Sequence, residues 1–370
     1  MVILLFLIGF IIVRKIVRKY YATHWDDNLY ASVYFDNEAV SEGDTGHICE
    51  ELVNGKFLPL PVVNVKFDMD KSIYYKEKVN SIVSDKQYRS DTLSLGSNTK
   101  LVRSFEVQFT KRGMYSIDSV DLNTMDPVDS YIRSENYECD SVIYVYPRYS
   151  HHRDILAPFS RIMGEALKNK FIFEDPFEFK GIRNYTTSDP MKKINWSASA
   201  KTGQLLVNNY YDTTSRHVTI FLDVVNDSVW KRNDQLEECI RITRNLMEEF
   251  VKNQVPVKII TNAKSSLNGD VISMESGTGS GVVYANLRNM ALIDLDKETE
   301  PIAEYLSVHE SNSEELSILL SADLSERLVK AYEKYLGKNS GEWIAPVMSS
   351  KDCNIRSSKF NITYLEVERL

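Results

Sequence analysis

Side chains able to do chemistry gather at a few places in this 370-residue chain. The apolar run His217–Asp223 (HVTIFLD) ends on a carboxylate, and Leu316–Leu320 (LSILL) runs into Ser321-Ala322-Asp323. If both runs are strands of one parallel sheet, their carboxyl ends lie at the edge where such sheets hold ligands. A second set lies in Phe179–Val207, where Arg183, Tyr185, Asp189, Pro190, Lys192, Lys193 and Trp196 crowd together. Arg183 suits bidentate pairing with a carboxylate, and Asp189-Pro190 is a turn former. His151-His152, beside Arg153 and Asp154, lacks a further ligand at metal spacing and reads as a solvated linker. No Ser/His/Asp order, GxSxG elbow or HExxH helix is present, so hydrolase chemistry has no support. Cys49, Cys139, Cys239 and Cys353 are far apart with no CxxC pair, which argues against both a disulfide framework and a zinc site. Lys and Arg number 44 against 52 Asp and Glu, a net charge of −8, and a nucleic-acid binder would show a basic face instead.

The elements that must position these residues fall into three textures. Met1–Val13 (MVILLFLIGFIIV) is an unbroken apolar run followed by Arg14, Lys15, Arg18 and Lys19. Charge after the run rather than before it is the wrong order for a secretory signal. Thirteen helical residues reach about 20 Å, against roughly 30 Å of hydrocarbon, so the segment either spans with its basic residues snorkelling or lies at the interface. The basic flank places the remainder in the cytoplasm, attached to the cell membrane through residues 1–21. From residue 25 to 148 the pattern has period two: Val63, Val65 and Phe67 alternate with Asn64, Lys66 and Asp68, and Phe105, Val107 and Phe109 likewise. Turn chemistry at Asn54-Gly55, Arg112-Gly113 and Asp126-Pro127 separates these strands as in a β-sandwich.

Beyond Asp234 the period becomes 3.6, with Leu236, Cys239, Ile240, Thr243, Leu246, Met247 and Phe250 on one helical face. The runs His217–Asp223, Val257–Thr261, Leu316–Leu320 and Trp343–Val347 alternate with helical stretches near Gly281–Met290, Ile302–His309 and Ser325–Leu336. That alternation predicts an α/β domain over 211–370 with a mostly parallel sheet. Residues 149–210 form the connection. Within it Ile194, Trp196 and Ala198 alternate with Asn195, Ser197 and Ser199, which predicts a short edge strand or clasp with Trp196 on its buried face. The segment then either clamps sandwich to α/β domain or forms an exposed docking surface.

The residues Gly181-Ile182-Arg183-Asn184-Tyr185, Asp189-Pro190, Ile194-Asn195-Trp196, Ser199-Ala200 and Gly203-Gln204-Leu205 resemble the signature of the DUF58 family. Arg112-Gly113-Met114-Tyr115, Asp126-Pro127 and Val145-Tyr146-Pro147-Arg148 resemble its preceding β-domain. Asn195 stands where an Asp is common and Ser197 where a Lys is common. The resemblance implies a multidomain chain with an N-terminal membrane helix, an Ig-like sandwich, the signature and a von Willebrand factor A-like (vWA-like) α/β domain of Rossmann type. It also implies a MoxR-type AAA+ ATPase as partner. Domains of the vWA type can hold a divalent cation such as Mg²⁺ through a DxSxS loop, a Thr and an Asp. Carried over, those positions are Asp223 and Asp227, Thr278 in Gly277-Thr278-Gly279-Ser280-Gly281, and Asp323, with Val225 where an oxygen ligand is needed. The two functions that follow are a non-catalytic, membrane-anchored interaction module and a cation-dependent ligand-binding protein or enzyme.

Overall fold

The computed structural model describes residues 2–76, 80–125, 132–170, 174–187, 189–212, 217–226, 232–351 and 353–367. The Asp126-Pro127 turn and Asp227 lie outside them. Two units divide the chain: Met1–Arg148 with Met290–Leu292, and Tyr149–Asn289 with Ile293–Leu370.

In the first unit the apolar run continues through its basic flank as one helix, α1 (Val2–His24). Val17, Tyr21 and Trp25 recur every four residues and so fall on one stripe. Tyr21 and Trp25 are buried in the sandwich core and Val17 packs against it. Ahead of that stripe Ile3, Phe6, Phe10, Val13 and Ile16 are exposed. Among the described residues no helix is long and apolar enough to cross a membrane. The four basic residues that interrupt α1 account for this, since any window long enough to span includes them.

Among the described residues ten strands follow: β1 (Leu29–Phe35), β2 (Ala39–Ser41), β3 (Thr45–Asn54), β4 (Leu60–Met69), β5 (Ile73–Tyr75), β6 (Ser81–Val83), β7 (Gln87–Leu95), β8 (Thr99–Phe109), β9 (Gly113–Met125) and β10 (Ile132–Tyr146). They form a four-stranded sheet ordered β1-β3-β8-β5 and a six-stranded sheet ordered β2-β10-β9-β4-β7-β6. Period-two burial produces the core: Val63, Val65 and Phe67 on β4 are buried, as are Val107 and Phe109 on β8. Pairing is antiparallel except between β2 and β10.

The second unit begins with α2 (Leu156–Lys170), then a ribbon of β11 (Glu174–Asn184) and β12 (Leu206–Asp212) that brackets α3 (Trp196–Thr202). Its main sheet comprises β13 (His217–Leu222), β14 (Val257–Thr261), β17 (Glu315–Leu320), β18 (Gly341–Val347) and β19 (Phe360–Glu366), ordered β14-β13-β17-β18-β19 and parallel throughout. A short antiparallel pair, β15 (Lys264–Ser265) and β16 (Ile293–Asp294), lies outside it. Helices α4 (Asn233–Lys252), α5 (Ser280–Ala291), α6 (Ile302–Val308) and α7 (Glu326–Leu336) fall within the connections. Phe221, Leu319 and Trp343 point from the sheet toward Leu306 of α6 and Leu328 and Tyr332 of α7. Glu342, one residue before Trp343 and therefore on the opposite face, is paired by Arg161 of α2 at 2.6–2.7 Å.

Candidate functional site

Three strand ends converge on one buried carboxylate. Asp223 follows β13, Asn262 follows β14 and Ser321 follows β17, so parallel register brings all three to the same edge. Asp223 is 2% exposed. Its Oδ2 accepts the Ser321 hydroxyl at 2.7 Å, and its Oδ1 accepts Asn262 Nδ2 at 2.7 Å and the Val225 N–H at 3.3 Å. The Asn262 amide also accepts the Val224 N–H and donates to the Glu300 carbonyl, both at 2.9 Å. Burial pushes the Asp223 carboxyl up to about 6, although the Ser321 and Asn262 hydrogen bonds favour its charged form. Cys239 on α4 is also buried, and both desolvation and the Asp223 charge hold its thiol well above its ordinary value.

Of the four residues expected to hold a cation, Asp227 lies outside the described residues, Asp323 is drawn near Asp223 by the Ser321 hydroxyl that both contact, and Thr278 does not join them. Asp323 turns onto its own chain, with Oδ1 accepting the Ser325 N–H at 3.1 Å and Oδ2 its hydroxyl at 2.8 Å. Ser325 is the N-cap of α7, so this carboxylate orders a helix start. Thr278 lies at the other end of the sheet. Gly277 exchanges backbone hydrogen bonds at 3.0 and 3.1 Å with Val257, the first residue of β14, whereas Asp223 follows Leu222, the partner of Thr261 at that strand's last position. At about 3.3 Å per residue the two ends are some 13 Å apart. Thr278 lines a separate cavity of about 630 Å³ with Tyr149, Glu248, Lys252 and Tyr284. Val225 offers no side-chain oxygen, and among the described residues no three His, Cys, Asp or Glu side chains are grouped to hold a metal. Octahedral Mg²⁺ needs converging oxygens with free lone pairs, and Asp223, Thr278 and Asp323 as placed do not converge as such a set. Instead the Asp223–Asn262–Ser321 set latches three strand ends. The Ser321 hydroxyl meets a carboxylate with no histidine between, and Ser321 is wholly buried. Asn262 was not singled out from the sequence, although the strand-end rule that marks Asp223 applies equally to the residue after Val257–Thr261.

The described residues of the signature segment form an ordered local structure. Arg183 pairs both oxygens of Asp189 at 2.6 and 2.7 Å, and Asp189 also accepts the Thr186 N–H at 2.9 Å and its hydroxyl at 2.7 Å. These bonds hold the Asp189 carboxyl far below the ordinary carboxylate range. Pro190 precedes a 3₁₀ turn, Met191–Lys193, and Gly181 and Tyr185 tie the first strand to the second through Asn209 and the Leu205 carbonyl. The expected strand at Ile194–Ser199 is instead the start of α3. The Asn195 side chain accepts the Ala198 N–H at 2.9 Å as N-cap, and Gly203 ends the helix at φ +70°, its N–H donating to the Ser199 carbonyl. Local capping overrides the alternation. Trp196 consequently sits at the first helical position and is 61% exposed, Ala200 is exposed one turn later, and Ile194 and Val207 are the buried pair beneath. Met191, Ile182 and Leu205 are exposed as well.

No protein-family profile matches the chain. Over 205 residues it is 20% identical to the uncharacterized protein YeaD of Bacillus subtilis strain 168, a match covering 55% of this chain and 48% of YeaD. The chain thus spans about half the length of that relative. Among solved structures, the CARDB domain of PF1109 from Pyrococcus furiosus is 16% identical, covering 30% of this chain and 92% of that one with a TM-score of 0.19. A type II cohesin domain from the cellulosome of Acetivibrio cellulolyticus is 9% identical, covering 32% and 95%, with a TM-score of 0.23.

Proposed function

We propose that this chain is a membrane-attached, non-catalytic interaction module whose Gly181–Gly203 segment docks a partner protein. One observation carries the reading: Trp196 is 61% exposed on a segment whose backbone is fixed by the Arg183–Asp189 pair, the Asn195 cap and the Gly203 stop. An exposed tryptophan on a preorganised scaffold is the kind of anchor that dominates protein interfaces, since it loses little conformational freedom on binding. Exposed Met191 and Leu205 nearby in sequence, with Lys192 and Lys201, add an apolar surface with a basic component. The exposed apolar residues of α1 support membrane attachment.

The DUF58 resemblance makes a MoxR-type AAA+ ATPase the first candidate partner, and the parallel sheet with intervening helices supports a vWA-like second domain. The cation-dependent alternative is weakened because the Asp223 oxygens and the Asp323 carboxylate are already engaged within the chain. The test is a pull-down from detergent-solubilised membranes with the full chain, read by mass spectrometry. A MoxR-type ATPase should be retained, and Trp196→Ala should reduce it by roughly tenfold or more. Equal retention by wild type and Trp196→Ala would refute docking through this segment.

A further inference from the structure

The packing of α1 on the sandwich has a consequence for the loop beside it, and the inference rests on the reading that α1 enters a membrane. Val17, Tyr21 and Trp25 fasten the helix to the sandwich core, so the domain begins four residues, or about 6 Å, from Val13 at the end of the apolar run. The β3–β4 loop lies at this junction, where the Tyr21 hydroxyl donates to the Pro59 carbonyl at 2.9 Å. That loop is rigidly held. Asn54, wholly buried, donates from Nδ2 to the Leu58 carbonyl at 2.9 Å and the Gly96 carbonyl at 2.7 Å. The Gly55 N–H bonds the Asn28 carbonyl and the Asn98 N–H bonds the Lys56 carbonyl, both at 2.9 Å, and the Ser97 hydroxyl bonds the Phe57 carbonyl. Leu58 packs against the core. Phe57, between these fixed points, is 85% exposed.

Single exposed apolar residues are ordinary. Phe57 differs in being presented by a pinned backbone beside an apolar helix. We propose that Phe57 is a second lipid contact, inserting its ring at the interfacial depth of the leaflet that α1 enters. The occupant is a bilayer, because Phe57 stands on the loop that Tyr21 of α1 holds, and Arg14, Lys15, Arg18 and Lys19, between the apolar run and Tyr21, suit anionic headgroups. Two contacts on one rigid junction fix the tilt of the sandwich on the membrane, which a single helix would leave free to swing.

The test places photo-reactive benzoylphenylalanine at position 57, 8 or 82 of the full chain in vesicles of phosphatidylethanolamine and phosphatidylglycerol. Ile82 is an exposed control: β6 pairs with the Gln87 end of β7, where Ile82 faces Tyr88, seven residues or about 23 Å from Leu95 at the end that adjoins the loop. Lipid adducts are expected at 8 and 57 and not at 82. Adducts at 8 without adducts at 57 overturn this inference and leave α1 in the membrane. No lipid adduct at 8 overturns the membrane reading itself. Capture of a second chain or another protein at 57 in place of lipid also overturns the inference. In a parallel measurement, Phe57→Ser should lower vesicle partitioning about tenfold while Phe57→Trp retains it. Equal partitioning of all three would count against a lipid-inserted ring.

Discussion

Asp223 is a carboxylate whose chemistry is altered by its surroundings. Its carboxylate is a buried group hydrogen-bonded to Ser321 and Asn262, and desolvation raises it from 3.8 to about 6. A raised native value means that the folded chain binds the proton more tightly than the unfolded one. The associated stability is fully present below about 3.8 and is lost as pH rises through about 6. At roughly 1.4 kcal/mol per unit the difference is about 3 kcal/mol. Asp223→Asn, which cannot ionise, should flatten the stability profile between pH 4 and pH 6 in denaturant unfolding of the full chain. An unchanged slope across that window would show that Asp223 does not titrate there. In the sandwich, Glu50, Arg89 and Asp91 are similarly hidden, with Arg103 paired to both carboxylates, so polar residues here are poor markers of the surface. Sequence alternation marks which face a strand residue takes, and burial of that face also depends on what lies across the other sheet.

At the scale of elements, the signature is defined by two caps. Asn195 opens α3 by accepting the Ala198 N–H and Gly203 closes it in the left-handed region, where a Cβ costs roughly 1 kcal/mol. Gly203→Ala should therefore weaken α3 locally by about that amount, read as faster hydrogen exchange at Ser199 and Gly203, whose amides bond the Asn195 and Ser199 carbonyls. Global stability should change little, and exchange at wild-type rates would refute the cap's role. These caps also explain why Ile194–Ser199 reads misleadingly: its alternation is short, and three residues of period two carry less weight than an N-cap hydrogen bond and a glycine stop. The longer alternations on β4 and β8 are legible because repeated burial of one face reinforces itself across the sheet. Leu316–Leu320 is legible for a related reason, since it is buried at every position and a strand covered on both faces must be largely apolar.

For the whole molecule, two separate cores predict two separable unfolding events. Leu52 is fully buried in the sandwich core, and truncating it leaves a cavity costing about 2–5 kcal/mol. Gly341 opens β18 against α7, and a Cβ there would lie 2.9 Å from Leu336 Cδ2 and closer still to the Tyr332 hydroxyl, an overpacking of about 1–3 kcal/mol. Calorimetry should resolve two transitions, with Leu52→Ala lowering one and Gly341→Ala the other. A single transition shifted by both substitutions would mean that the cores unfold together.

The order of textures was determined by the sequence alone: an apolar helix broken by basic residues, a run of half-buried strands, then alternating buried strands and amphipathic helices. Each rests on periodicity, which is a local property of the chain. The tertiary structure decided which distant residues share a site. Asn262 joins Asp223 because β14 runs parallel to β13, while Thr278 is excluded because its loop returns to the opposite end of β14. Trp196 faces outward because two local caps set its helix, and Phe57 stands beside α1 because Tyr21 and Asn54 hold its loop there. Such placements depend on the path of the whole chain, which no local period encodes.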